Sequence, residues 1–172
     1  MLSKTSLLPI VVDHFRTLVD SETGKVCWRD VVEQFALPAV VAAASLATGW
    51  YWKDTAGAVA GVSIVAALLC SMAVFIFQLR LETHQINDKR LVSRDYELLD
   101  ETFYNVMWAI IVGLGLALYL IAVDALGMFG NDLRGQLLTA AAVFVAAHFL
   151  SVIAMSLKRL RRAYERIAAR KR

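Results

Sequence analysis

The chain alternates between long apolar runs and short charged ones. Residues 57–79 and 103–123 are continuous apolar stretches that carry no Lys, Arg, Asp or Glu. Two similar runs, 37–52 and 137–157, stand outside them. At about 1.5 Å of rise per residue, some 20 residues of helix cover the roughly 30 Å hydrocarbon core of a bilayer. The pattern therefore predicts an all-α integral membrane protein with four transmembrane helices arranged as two hairpins. A membrane β-barrel would alternate apolar and polar positions over about ten residues, and these runs do not.

Between the two central runs lies 80–102, with four basic and six acidic residues. Such a segment belongs in water. Val92, Tyr96, Leu99 and Phe103 recur at helical spacing, so the connector is expected to be helical, leading into the third span from near Ser93. The division that follows is 1–33 as a cytoplasmic amphipathic segment, 34–79 as the first hairpin, 80–102 as the connector, 103–157 as the second hairpin and 158–172 as a basic tail. Leu7, Leu8, Val11, Phe15, Leu18 and Val19 place one apolar face on a short N-terminal helix, broken near Gly24. Its apolar stretch is too short, and too soon interrupted by Pro9 and Asp13, for a signal peptide.

Lys and Arg set the orientation. Residues 1–33 hold four, the connector four and the tail eight, against Lys53 and Arg134 alone in the two remaining loops. By the positive-inside rule both termini and the connector face the cytoplasm, and the expected location is a bacterial inner membrane. Trp28, Trp50, Trp52 and Trp108 are candidate interfacial anchors. The tail, beginning Lys158-Arg159-Leu160-Arg161-Arg162, suits anionic headgroups of the inner leaflet; it lacks the aromatic interleaving of a nucleic-acid surface.

Composition limits what else fits. With 172 residues, 59% of them hydrophobic, four spans leave no room for an ordinary soluble catalytic domain. Two cysteines, Cys27 and Cys70, offer neither metal-ligand spacing nor a plausible disulfide. No phosphate loop, nucleophile–base pair or HExxH occurs, so neither an enzyme nor a cofactor or metal is expected.

Candidate sites remain inside and beside the spans. Small residues that let helices approach closely are Ser45 and Gly49 in the first span, Gly57 and Gly61 in the second, and Gly113 in the third. His148 stands near the middle of the fourth span, where a polar side chain needs a partner or water. It is either a pore-lining or proton-sensitive position, since imidazoles titrate near neutral pH, or a structural lock hydrogen-bonded to Ser63, Ser71 or Thr139. Asp124 is either a solvated span end or one member of a carboxylate ring at a channel mouth. The connector carries more apolar side chains than a solvated linker needs, which makes Arg90, Arg94 and Tyr96 candidates for contact with a cytoplasmic protein.

This layout of cytoplasmic termini and Ala/Gly-rich spans without a catalytic motif resembles the small multi-span membrane effectors of bacterial antiphage systems. The resemblance implies self-association and membrane disruption or ion leakage on activation. Two classes of function are thus carried forward: an oligomeric channel or membrane-perturbing effector, and a non-conducting anchor or regulatory subunit that recruits a cytoplasmic partner. Phage holins are similar in size and basic tail, but four spans and a structured connector fit them less well.

Overall fold

The computed structural model describes the backbone of residues 10–11, 28–84 and 89–170, and the side chains of these except at 29–30, 82–84, 89–98, 162–164 and 166–170. All its regular structure is helical. The first helix begins as α1 (Trp28–Val31), passes through a π-helical segment (Val32–Ala36) and continues as α2 (Leu37–Ala47). Then follow α3 (Ala56–His84), α4 (Lys89–Ala125) and α5 (Leu133–Arg170). Of the expected N-terminal amphipathic helix only Ile10 and Val11 are described, both helical; the rest lies outside the described residues.

Three stretches are long and apolar enough to cross a membrane: 56–81, 99–125 and 133–161. The apolar helix 32–47 is shorter. These are the elements of a membrane protein. Their ends follow local chemistry. Gly49, with φ of 63°, stops α2 by sending its own N–H to Leu46 O while the Trp50 N–H reaches Ser45 O; a residue with a Cβ pays for that left-handed conformation. Gly127 ends α4 in the same way, at φ of 59°. Asp54 Oδ1 accepts the Ala56 N–H at the start of α3, and Asp132 Oδ1 accepts that of Gly135 at the start of α5.

The first expected apolar run, 37–52, is displaced. Its helix starts earlier, at Trp28, and ends at Ala47, so Trp50, Tyr51 and Trp52 lie in the turn that follows. Helix α3 runs past Leu79 to His84, and α4 begins at Lys89, both within the expected connector.

The helices pack in the order α3, α4, α5, α2. Helix α4 lies between α3 and α5, and α2 rests on α5. No Cα of α2 comes within 8 Å of α3, its neighbour in sequence. The pairing within the first expected hairpin is therefore replaced by contact across the chain. The reason is where the apolar and polar faces meet: Leu69, Ala73 and Ile76 of α3 bury against Val106, Ala109 and Ile110 of α4, with Phe149 and Val152 of α5 closing the cluster. A second cluster of Leu116, Leu120 and Ala142 packs nearer the other end, with Trp52 and Val59 against it. The Trp52 N–H donates to Thr139 Oγ1 at 3.2 Å, pinning the turn after α2 onto α5.

Candidate functional site

Polar side chains are buried where the π segment and α4 each meet α5. Gln34 and Asn105 are wholly buried, Thr102 and Ser156 nearly so, and His148 is 7% exposed. They form a seam from the charged end of the bundle toward its middle.

Pro38 explains the seam's geometry. In an α-helix the donor to the carbonyl of residue 34 is the N–H of residue 38, and proline has none; its ring also crowds that carbonyl. The backbone widens here into a π turn, with the Leu37 N–H reaching Val32 O, as π segments often do beside special sites. The carbonyl of Gln34 turns to α5, where His148 Nδ1 lies 3.0 Å away. On the ring's other side the Trp108 indole Nε1–H points to His148 Nε2 at 3.2 Å. An indole N–H only donates and a carbonyl only accepts. The two partners therefore set the ring as neutral, with its proton on Nδ1. Phe35 and Phe144 flank it, the latter stacked nearly parallel at 6.5 Å between centroids.

One turn further along, two amides share one sulfur. Gln34 Nε2 lies 3.6 Å and Asn105 Nδ2 3.9 Å from Met155 Sδ, a weak acceptor. Gln34 Oε1 is buried without a hydrogen bond, an arrangement that costs about 1–3 kcal/mol. Ser156 returns its hydroxyl to Val152 O within α5.

The seam ends at a belt of ion pairs. Arg80 of α3 grips Asp100 of α4 with two nitrogens, at 2.9 and 3.0 Å. Glu101, the next residue of α4, meets Arg159 of α5 at 2.8 Å. Lys158, beside it, meets Glu33 of the π segment at 3.1 Å. The three pairs join all neighbouring helices at one level. Arg159 is buried, so its charge depends on a partner; Arg80 and Lys158 are more than half exposed.

The sequence-derived candidates distribute as follows. His148 is bonded to Gln34 and Trp108 instead of Ser63, Ser71 or Thr139: the hydroxyl of Ser71 is exposed and bonded to Ala67 O, and that of Thr139 accepts from Trp52. Trp108, expected as an interfacial anchor, spends its N–H inside the bundle. Trp28 is 75% exposed and Trp50 is exposed, while Trp52 is half-buried. Gly113 sits under Phe149, where a Cβ would lie 2.9 Å from the ring. Gly57 and Gly61 face open space, Gly49 serves the turn, and Ser45 Oγ is buried without a hydrogen bond. Asp124 is exposed at the end of α4. Arg90, Arg94 and Tyr96 lie on α4, their side chains outside the described ones.

Gln34, Asn105, Met155 and the three ion pairs escaped sequence reasoning. Gln34 could have been found from Pro38, four residues on, and Asn105 from its place within an uncharged apolar run. Among the described residues no three His, Cys, Asp or Glu gather where a metal ion could sit. Compared with known proteins, the chain stands apart: no family model matches it, and neither a curated protein nor a solved structure does.

Proposed function

We propose that the chain spans the bacterial inner membrane four times and acts as an oligomeric channel or membrane-perturbing effector, with both termini and the 80–102 connector in the cytoplasm. The sixteen-to-two partition of Lys and Arg supports the orientation. The fourth span is the first helix, whose apolar part, 32–47, is shorter than the other three spans and is followed by Trp50, Tyr51 and Trp52.

The observation that carries the functional reading is the outer face of α3. Gly57 and Gly61, with Ala60, Ser63, Ala67 and Cys70, are exposed, and nothing lies within 4 Å of a Cβ added at either glycine. A second helix can approach closely there. Any conducting path then runs between copies, since the interior of one copy is closed by Leu116, Leu120 and Phe149. A role in antiphage defence rests on the resemblance in layout. Anionic lipids of the inner leaflet are the natural contacts of the basic tail.

The second reading is a non-conducting anchor that recruits a cytoplasmic protein through the connector. Its support is His148, whose two nitrogens are both engaged within the packing. Mass measurement in nanodiscs, followed by ion flux in liposomes, separates the two. An oligomer that passes ions supports the effector. A monomer, or an oligomer that passes none under any trigger, supports the anchor.

A further inference from the structure

His148 does more than fill a gap in the packing. It joins the carbonyl that Pro38 leaves without a donor to the indole of Trp108, and so holds three helices through one ring. Both bonds require a single protonation state. A second proton, taken from water onto Nε2, makes a new N–H bond that faces the indole N–H, and the Trp108 bond must break. We infer that the His148 ring is a proton-sensitive latch that keeps the first helix seated on α5, released when Nε2 is protonated.

Several features make release a local event. The π segment is already a departure from regular helix, and π turns are sites of helix deformation. Helix α2 packs on α5 and has no contact with α3 to hold it elsewhere. Gln34 Oε1 is a buried acceptor without a hydrogen bond, so the seam has unused capacity for a rearranged donor. Thr102 and Asn105, also buried, stand on α4 between the ion-pair belt and Trp108.

Among the described residues, the partners of the ring, Gln34, Phe35, Trp108 and Phe144, carry no charge. The titratable groups among the described residues that flank its level on the elements around it are Glu33 on the π segment, Tyr104 and Glu101 on α4, and Lys158 and Arg159 on α5; α2 has none. Glu33 is paired with Lys158 and Glu101 with Arg159. Neither pair supplies an uncompensated charge. The inference is independent of whether the protein conducts.

The test uses the full chain in nanodiscs, labelled with 15N-histidine and 15N-tryptophan, with Cys27 and Cys70 replaced by Ser. The protein has three histidines, His14, His84 and His148. Spin labels go on Ala43 of α2 and Leu118 of α4, both exposed. Near pH 8 one imidazole is expected in the Nδ1–H form, absent from His148→Asn. The pH is lowered toward about 5, across the range in which imidazoles titrate, and protonation of that ring is followed by its 15N shifts. The Trp108 indole resonance then moves over the same interval, and the label distance lengthens by a few ångströms. In His148→Asn the distance is the same at both pH values. Should that variant fail to assemble, a His14→Gln/His84→Gln protein isolates the same signal. The latch is overturned by a ring in the Nε2–H form. It is equally overturned by a ring that takes up no proton in this range, or takes one up while indole and distance stay unchanged.

Discussion

His148 Nδ1 stands 3.0 Å from the carbonyl oxygen of Gln34, the carbonyl that Pro38, four residues later, cannot serve. A break in one helix is thereby mended by a side chain from another. The mend has a measurable signature. Replacing His148 with Ala removes the ring partner of that carbonyl and of the indole N–H, at about 1–3 kcal/mol for each buried group left unsatisfied. In a Pro38→Ala background, residue 38 regains an N–H to offer Gln34, and the same replacement is expected to cost about 1 kcal/mol less. A double-mutant cycle on reversible unfolding in bicelles reads this coupling. Additive effects would show that the proline and the histidine act apart.

The glycines divide sharply. Gly113→Ala drives a Cβ into the Phe149 ring and is expected to cost about 1–3 kcal/mol, recovered in part by Phe149→Leu. Gly57→Ala and Gly61→Ala meet open space and should stabilise a single copy by up to about 1 kcal/mol each through helix propensity. Unfolding at a protein dilution where copies are separate tests this. A loss of oligomer with the fold intact would place the two glycines between copies.

The ion-pair belt is graded by burial. Glu101→Gln takes a carboxylate from the buried Arg159 and is expected to cost more than about 1 kcal/mol. Asp100→Asn breaks the more exposed Arg80 pair and is expected to cost less than about 1 kcal/mol. Comparing the two in low and high salt completes the test, because only the exposed pair is well screened.

For topology, single cysteines at Lys53 and Asn131, both exposed, should react with an impermeant thiol reagent added outside intact cells, and one at Ser93 should not. Labelling at Ser93 from outside would overturn the four-span orientation. Thr55, closer to the start of α3, is buried and unsuited to this measurement.

On the other end of the bundle, Thr139→Val removes the acceptor of the Trp52 N–H. Interhelical hydrogen bonds in membranes average about 0.6 kcal/mol, so global stability should change little. Hydrogen exchange at the Trp52 amide should quicken by roughly threefold, the rate equivalent of that energy.

The long helices could be read from the sequence because continuous apolar runs bounded by charges have few other solutions. Their neighbours in space could not. Which face of 37–47 meets which helix depends on the turn at Gly49 and on the extra backbone width at Val32–Ala36, neither visible as periodicity. Trp108 was legible as an aromatic near the start of the apolar run 103–123; that its indole N–H would serve His148 of α5 was not. His148 was legible as a polar residue needing partners; their identity required Pro38 to be seen as leaving an acceptor.

The separation of Gln34 from His148, 114 positions along the chain, sets the timetable of biosynthesis. A ribosome adding about 5–20 residues per second needs on the order of ten seconds to make that interval. Throughout it the nascent first helix carries a wholly buried-type glutamine and a carbonyl without its helical donor, while the element that will serve it does not yet exist. Early insertion of the first segment is therefore provisional, and its native seat is completed only when the last helix emerges. Truncation before residue 148 should strand the N-terminal helix at the insertion machinery or hand it to quality-control proteolysis, even though every residue of that helix has been made.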